Sequence, residues 1–518
     1  MSDKMEGRPA KVGMEELAGK LGAALSKGAP GIAGLDGVYP ESVKYSEGAF
    51  IFMVRTEQGK RLALAGNAEV AGRFTGETLS GVKFCPLRTE NAEALRETFP
   101  WTAPVPIGRR ASFGAGDRLG LATPGHLRAL SRFEIFPVLA QQSMRELGRT
   151  GRTPQAVIDD AGWGAFQNGY TGSFAADADH IKKVEEAIDC YLLGFTMFTV
   201  DASDYIDLQA VNLPDEQALE QFKKMPEYQE IRARYRGKTW SFAGNGLQLE
   251  IAFSEAEIAR SALVYHKAIE HMALIYRGLK AAVGNRVEGF DLEVSVDETE
   301  TDTTERDHVF WATELKARGM MWQSLAPKFT GQFQKGIDYI GDREKFERQF
   351  ASHALIAQKL GPYKISVHSG SDKFSIFPVI GRQTAGYFHL KTAGTSWLEA
   401  VRVIALRNPR LYRWMHDFAL LRFEADRASY HVTTNLEAIP QVDSLQDSEL
   451  PGLMDEVDSR QLLHITYGSL LSSRDEASGR YLFRDEIYST LYDYEETYYE
   501  MLDRHIGRHL ETLGVRGR

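Results

Sequence analysis

The chain has 518 residues, of which 43% are hydrophobic, and a formal net charge of −10 from 61 basic and 71 acidic side chains. This length is enough for a large core, either as one α/β domain with additions or as three ordinary domains. The acidic balance argues against a nucleic-acid surface, which requires clustered lysine and arginine.

Cysteine usage and the start of the chain give expectations about the compartment. Cys85 and Cys190 lie far apart without C-x-x-C spacing, so neither a disulfide framework nor a zinc ribbon is predicted. Residues 1–8 lack the apolar core of a signal peptide. No run reaches the ~18–20 apolar residues of a membrane span. We therefore expect a cytoplasmic protein that has neither a membrane nor a nucleic acid as a partner.

Residues 1–106 are predicted to form a small α+β region. Apolar runs at 49–55 and 61–65 flank turn residues at 57–59, and this spacing is typical of a β-hairpin. A helix is predicted at residues 90–98. The region carries no catalytic motif that the sequence identifies.

From residue 107 onward, strand-like and helix-like segments alternate, which predicts parallel strands joined by crossover helices. The eight candidate strands are residues 119–122, 174–177, 195–201, 289–296, 323–328, 363–367, 386–391 and 429–432. Eight such units predict an α/β fold in which residues 107–435 form a (β/α)8 TIM-like barrel. Its active site is then expected at the carboxyl ends of the strands.

The clearest predicted helix covers residues 255–282. Ser254 and Glu257 have the spacing of a capping box. Apolar side chains recur every three or four positions along the helix, so one stripe is predicted to face a core rather than a partner. Elsewhere there is no P-loop, and the glycines at 114 and 116 lack the rest of a dinucleotide-binding motif.

Residues 436–518 are predicted to form a C-terminal helical extension, with helices at 459–472 and 487–513. We expect this extension to pack on the barrel or on another subunit, so a homo-oligomer is compatible with the sequence. His505 and His509 have the i, i+4 spacing of metal ligands. Because no third ligand lies in the segment, a surface pair is the favoured interpretation.

His126 and Glu293 are two of the predicted metal ligands. His126 follows a Pro-Gly turn, which would place it over the barrel mouth; a histidine of a loop or helix cap is the alternative. Alternate side chains of a strand share one face. The lumen face of residues 289–296 and the position just beyond would therefore carry Asp291, Glu293, Ser295 and Asp297. Carboxylates there are costly unless paired, protonated or metal-bound, so Glu293 is predicted to bind a metal.

His368 is the third predicted metal ligand, because it shares the lumen face of its strand with Lys364 and Ser366. The Ser-Gly-Ser run that follows offers backbone amides to an anion. The run of small residues at 393–396, after the next strand, resembles another anion-binding turn. Four residues are therefore predicted to bind substrate: Ser369, Ser371 and Lys373 of the first run, and His389 of the next strand.

Asp179 and His180 form an acidic–imidazole cluster followed by Lys182, for which a helix cap is the alternative interpretation. Asp201 ends another predicted strand. Lys391 could clamp a substrate carboxylate or donate a proton. Histidine and carboxylate donors suit Mn²⁺, Zn²⁺, Ni²⁺ or Fe²⁺ better than Mg²⁺, so a divalent metal is the expected cofactor. Basic residues at the rim would suit an anionic sugar acid as the small-molecule substrate.

Several segments resemble the tagaturonate/fructuronate epimerases of bacterial hexuronate catabolism. They include GDRLGLATPGH at 116–126, ADADHIK at 176–182, SVHSGSDKF at 366–374 and HLKTAGT at 389–395. Further matching stretches lie at residues 153–164, 194–201, 293–299 and 329–336. The resemblance implies a metal-dependent 4-epimerase that interconverts D-tagaturonate and D-fructuronate, with related activity on tagatose and fructose.

The C4 proton of such a substrate is not acidic, so we expect a retro-aldol route in which the C3–C4 bond breaks and re-forms. Asp179 or Asp201 would act as the base at the C4 hydroxyl. Lys391 or Lys182 would lie near the uronate carboxylate, and His180 and Lys182 would bind substrate. Transient oxidation at C4 is an alternative, although no nicotinamide site is found in the sequence.

Two other functions remain open from the sequence. A divalent-metal aldose–ketose isomerase would use the same lumen chemistry for proton transfer between C1 and C2. A non-catalytic sugar-binding protein would instead need the lumen carboxylates to be paired by arginine without a metal. Tests on aldose substrates and metal analysis would distinguish these functions.

Overall fold

The computed structural model describes residues 10–284, 289–299 and 301–518. The first eight residues, on which the signal-peptide expectation depends, and Glu300 of the acidic run lie outside the described residues. Within the described residues, no helix is both long and apolar enough to cross a membrane.

The N-terminal part forms a five-stranded antiparallel sheet in the order β1-β2-β3-β5-β4. Its strands are β1 (Lys44–Ser46), β2 (Ala49–Thr56), β3 (Gly59–Gly66), β4 (Glu77–Leu79) and β5 (Val82–Pro86). The accompanying helices are α1 (Met14–Leu25), α2 (Gly28–Ala33), α3 (Ala68–Gly72) and α4 (Thr89–Thr98). The predicted hairpin is confirmed, because Thr56 pairs with Gly59 across the turn.

Eight parallel strands close into a barrel in the order β12-β13-β14-β15-β6-β7-β8-β9, which confirms the predicted fold class. The barrel strands are β6 (Ser112–Ala115), β7 (Phe136–Ser143), β8 (Ala175–Ile181), β9 (Met197–Asp201), β12 (Asp291–Ser295), β13 (Ser324–Ala326), β14 (Lys364–Val367) and β15 (Phe388–Thr392). Between β9 and β12, an antiparallel hairpin is inserted, formed by β10 (Thr239–Gly244) and β11 (Leu247–Ala252).

Helices cover the outside of the barrel. They are α5 (Thr123–Leu130), α6 (Met144–Thr150), α7 (Pro154–Gln167), α8 (Val184–Leu193), α9 (Asp215–Lys223), α10 (Tyr228–Tyr235), α11 (Glu255–Val283), α12 (Glu305–Ala317), α13 (Arg343–Leu360), α14 (Phe377–Thr384) and α15 (Thr395–Arg407). The capping box of Ser254 and Glu257 opens α11 as predicted. Its apolar stripe is buried in the main core, as Ile258 and Leu279 illustrate.

Two predicted strands are wrong. Residues 119–122 form a turn because the Asp117 carboxylate accepts hydrogen bonds from the amides of Leu119, Gly120 and Ala122, which a strand would need for its ladder. Residue 429 ends a short 3-10 helix, and residues 430–432 pair with no strand among the described residues. The two barrel strands that were not predicted are β6 and β7. Small or polar residues interrupt the apolar pattern that would identify them as strands.

The C-terminal helices pack on the barrel, as expected. They are α16 (Pro409–Asp426), α17 (Val457–Ile465), α18 (Tyr467–Ser472), α19 (Arg484–Asp493) and α20 (Glu495–Thr512). They share a second apolar core with α15, in which Trp397 and Leu462 are buried. Helix α20 lies against α5, α14 and α15.

The predicted surface pair on α20 is wrong, because His509 is fully buried and the side chain of His505 is only 13% exposed. His505 Nε2 lies 3.0 Å from Asp372 Oδ1. The Asp372 amide donates to His509 Nε2, and His509 Nδ1 lies 2.8 Å from the carbonyl oxygen of His505. These contacts tie the loop after β14 to the last helix of the chain.

Candidate active site

Four barrel residues form a buried cluster of opposite charges at the carboxyl ends of the strands. The Lys391 ammonium on β15 lies 2.6 Å from Asp177 Oδ2, 2.7 Å from Asp179 Oδ1 and 3.0 Å from Glu293 Oε1. Strand alternation explains the arrangement, because Asp177 and Asp179 are two positions apart on β8 and share its lumen face. The sequence thus correctly predicted which face of β12 and β15 is polar.

The members of the cluster shift one another's pKa values. Burial lowers the pKa of Lys391, but Asp177, Asp179 and Glu293 outweigh burial and raise it well above its ordinary value. Burial raises the pKa of Asp179, yet Lys391 and His180 hold it well below the usual range. Burial raises the pKa of Asp177 to about 6. The N–H groups of Lys391 are already used by three carboxylates, so none is left to clamp a substrate carboxylate.

His368, just beyond β14, lies between two carboxylates. Its Nε2 atom is 2.7 Å from Glu293 Oε1, and its Nδ1 atom is 2.9 Å from Asp297 Oδ1. Burial lowers the pKa of His368, but the charges of Asp297 and Glu293 raise it to about 10. The carboxylates gathered around this imidazole therefore favour a positive charge at this position.

His180, Asp297 and His368 could together hold a metal ion. One donor atom from each lies within 4.8 Å of the others. Two imidazoles and one carboxylate suit the Zn²⁺, Mn²⁺, Ni²⁺ or Fe²⁺ predicted from the sequence. The surplus of carboxylates over Lys391 also favours a divalent cation. We call these three residues the donor triad.

A distortion of β8 brings His180 into the triad. Regular alternation would turn His180 away from Asp179, but the pairing of β8 with β9 shifts register between Ala178 and Ile181. His180 has a φ of 56°, in the left-handed region that non-glycine residues rarely adopt. Backbone strain of this kind is concentrated at functional sites. The sequence analysis assigned His180 to substrate binding and not to the metal, because periodicity alone cannot reveal such a bulge.

His126 does not join the predicted metal site. It lies on α5 instead of at a strand end, and its Nε2 atom is 2.7 Å from Ser396 Oγ of α15. Burial lowers its pKa to about 4, so it is a neutral residue of a helix–helix contact. Glu293 contacts His368 but lies outside the triad. Of the three predicted ligands, only His368 belongs to it.

Asp201 and Lys182 lie at the rim of the barrel. The Lys182 ammonium is 2.9 Å from Asp204 Oδ1 and 3.4 Å from Asp201 Oδ2, and its side chain is 38% exposed. Asp201 also accepts a hydrogen bond from the Ser203 amide. Both predicted residues are thus held in an ion-pair group, and the cavities described below are not lined by either of them.

The four predicted substrate-binding residues of the later strands differ in position. Ser369 lines the cavity at the barrel mouth. Ser371 bonds to the backbone of Ala393, and Lys373 donates to the carbonyl oxygens of Gln334 and Ser371. His389 lies deeper in the barrel, with Nδ1 2.9 Å from Ser112 Oγ. Only Ser369 is therefore placed to meet a ligand.

Two neighbouring cavities are lined by members of the donor triad. The outer one has a volume of about 580 Å³, within the roughly 300–1,000 Å³ of small-molecule pockets. The inner one, of about 50 Å³, reaches Asp179, His180 and Lys391. Both are lined by the same central residues, including Asp297, His368, Ser369, Arg145 and Lys335. Arg145 and Lys335 were missed because neither is part of a strand.

Known proteins resemble the chain over nearly its whole length. The family described as "UxaE: tagaturonate epimerase" matches residues 39–513. A Thermotoga maritima protein named tagaturonate/fructuronate epimerase is 44% identical over 480 residues, covering 92% of this chain and 96% of its own.

Crystal structures of fructuronate-tagaturonate epimerase UxaE from Cohnella laeviribosi also resemble this structure. The native structure has a TM-score of 0.89 at 45% identity, covering 96% of this chain and 100% of that one. A complex with one glycerol has the same TM-score and coverage at 44% identity. The barrel that contains the buried polar cluster is therefore similar in fold and in sequence to these relatives. The chain belongs to the tagaturonate epimerase family, UxaE.

Proposed function

We propose that this chain interconverts D-tagaturonate and D-fructuronate by epimerisation at C4. One observation carries the proposal: the donor triad converges beside Asp179 and Lys391 at the mouth of a barrel that belongs to this family. The relatives are named for the interconversion of these two sugar acids, and a carboxylate base beside metal donors suits the making and breaking of a carbon–carbon bond next to a carbonyl group.

The donor triad would hold a divalent ion, with Mn²⁺, Zn²⁺, Ni²⁺ and Fe²⁺ as the candidates. When bound, such an ion supplies Lewis acidity to a carbonyl oxygen and a neighbouring hydroxyl of the sugar. Glu293 accepts a hydrogen bond from Ser324 and contacts His368, so it orients that imidazole.

Asp179 is the proposed base. It lines the inner cavity, whereas Asp201 is tied to the rim. Lys391 and His180 keep the Asp179 carboxylate ionised, so it can accept the proton of the C4 hydroxyl. The C3–C4 bond then breaks, its electron pair stays on C3, and C4 becomes an aldehyde. After the aldehyde presents its other face, the bond re-forms and Asp179 returns the proton, so no oxidant is needed.

The test is an epimerisation assay on the purified chain together with elemental analysis. D-Tagaturonate is supplied, and ketose and aldose products are separated by chromatography. We expect D-fructuronate as the product and a stoichiometric divalent metal. An aldose product would favour the sugar isomerase, and failure to convert either ketohexuronate in the metal-loaded protein would overturn the proposal.

Isotopes distinguish the route. Substrate deuterated at C4 keeps its C4–H bond intact in the retro-aldol reaction, so we expect no primary deuterium isotope effect and no exchange with solvent. A primary effect at C4 would instead require transient oxidation, and loss of deuterium to water would require direct deprotonation.

A further inference from the structure

Two cationic side chains that line the inner cavity, Lys391 and Arg118, already form ion pairs with buried carboxylates. Lys391 contacts three of them, as described above. Arg118 donates two hydrogen bonds to Glu146 Oε1, at 2.6 and 2.9 Å, and its guanidinium lies 3.5 Å from the centre of the Tyr467 ring. Neither side chain is free to meet an anionic ligand without breaking a buried ion pair.

Lys335 differs from these cations. It lines both cavities, and its ammonium donates a 2.8 Å hydrogen bond to Ser369 Oγ. Among the residues that the structure describes, it forms no ion pair with a carboxylate. The charges of Glu146 and Glu298 act on this ammonium from beyond ion-pair distance, so its direct partner is a neutral hydroxyl and an anion could form charge-assisted hydrogen bonds with it.

The surroundings of Lys335 place that anion within reach of the reaction centre. Asp297 and His368 of the donor triad line the same two cavities. Arg145, whose nearest carboxylate atom is Glu298 Oε1 at 3.7 Å, adds a second positive charge to the wall. One ligand can therefore touch the triad with its hydroxyl end and Lys335 with an acidic end.

We propose that Lys335 binds the C6 carboxylate of the ketohexuronate and makes the site prefer a sugar acid to a neutral ketohexose. The proposal rests on the proposed function, since it concerns the substrate of the same site. It replaces the roles expected for Lys391, which has no free N–H group, and for Lys182, which is paired at the rim.

The test compares binding of D-fructuronate and D-fructose by calorimetry in the metal-loaded protein. Removing one charge-assisted hydrogen bond costs on the order of 10- to 100-fold in affinity. We expect Lys335→Gln to weaken D-fructuronate binding by that factor and to change D-fructose binding by less than about threefold. Lys335→Arg, which keeps the charge, should restore much of the preference. Thermal melting checks that each variant is folded.

Two further variants test rival assignments. Lys182→Gln removes the rim lysine, and Lys328→Gln removes the other lysine of the outer cavity. A selective loss of D-fructuronate binding in either of them, but not in Lys335→Gln, would overturn the assignment. An equal loss for acid and neutral sugar in Lys335→Gln would also overturn it, because the lysine would then be structural.

This outcome is separate from that of the proposed function. Epimerisation by the unaltered chain tests the reaction, and the ratio of the two affinities tests Lys335. A chain that binds D-fructuronate through Lys335 without converting it would contradict the reaction alone.

Discussion

The ammonium of Lys391 lies 2.7 Å from Asp179 Oδ1, although the two residues are 212 positions apart and stand on different strands. The proposed base is thus held ionised by a cation from β15, and neither group can be changed without affecting the other. Asp177 and Glu293 share the same ammonium, which makes Lys391 the centre of charge balance in the barrel.

Removal of the Lys391 charge is predicted to destabilise the fold as well as to stop the reaction. Lys391→Met leaves three buried carboxylates without their cation, and breaking a buried pair costs about 3–5 kcal/mol. The free energy of unfolding in urea measures this cost. Lys182→Met is the matched control, because a partly exposed ion pair is worth about 0–1 kcal/mol. Equal losses in the two variants would contradict the central role of Lys391.

The donor triad predicts which variants lose metal. Asp297→Asn and His180→Gln should weaken metal binding by at least about 10–100-fold, the range seen when residues that only support a ligand are removed. Glu293→Gln should weaken it less than Asp297→Asn. His126→Asn should leave metal content unchanged, since His126 lies in a helix contact. Elemental analysis and titration with Mn²⁺ or Zn²⁺ measure the order, and a larger effect for Glu293 than for Asp297 would make Glu293 a direct ligand.

Asp179→Asn is predicted to slow the reaction rather than to weaken binding. Loss of a general base costs about 10²–10⁴-fold in kcat. KM should change little at saturating metal, because the amide keeps the shape of the carboxylate; metal affinity is measured separately, since Asp179 also contacts His180 of the donor triad. Asp201→Asn is the comparison, and a larger fall in kcat for that variant would move the base to the rim.

Stability at acid pH should depend on histidines buried in the neutral form. His416 on α16 is 1% exposed, and its ring nitrogens lack hydrogen-bond partners among the described residues. Burial lowers its pKa to about 4, whereas an unfolded chain titrates near 6.5. Between these values only the unfolded state binds the proton, so the free energy of unfolding decreases as pH decreases.

His416→Phe removes that proton uptake. Between pH 7 and pH 4, the free energy of unfolding should decrease in the variant by on the order of 3 kcal/mol less than in the unaltered chain. Urea unfolding at several pH values measures the difference. A slope for His416→Phe identical to that of the unaltered chain would show that His416 is not neutral in the folded state.

The barrel could be predicted from sequence because buried parallel strands and amphipathic helices differ in period, as in β12 and α11. Strand β6 could not, because Ser112 and Gly114 interrupt its apolar run, while the more apolar turn at 119–122 looks like a strand. Residues 119–122 form a turn because the Asp117 carboxylate accepts hydrogen bonds from their backbone amides. Nothing in the local pattern reveals that contact.

The site shows the same division. Alternation along a strand correctly placed Glu293 and Lys391 in the lumen. It could not place His180, which a bulge with a positive φ turns inward. Lys335 lies on a loop, where only the three-dimensional path of the chain brings it to the cavity. His126 looked similar to a strand-end histidine because the preceding turn was mistaken for a strand.

The contact between Asp372 and α20 joins the loop after His368 to a helix that is synthesised much later. Residues 180, 297 and 368 leave the ribosome well before His505 and His509, which hold the loop that follows His368. A nascent chain therefore contains every donor of the triad before it contains the residues that secure one of them. A chain that ended before these two histidines would keep the triad but lack the contacts that hold the loop after His368.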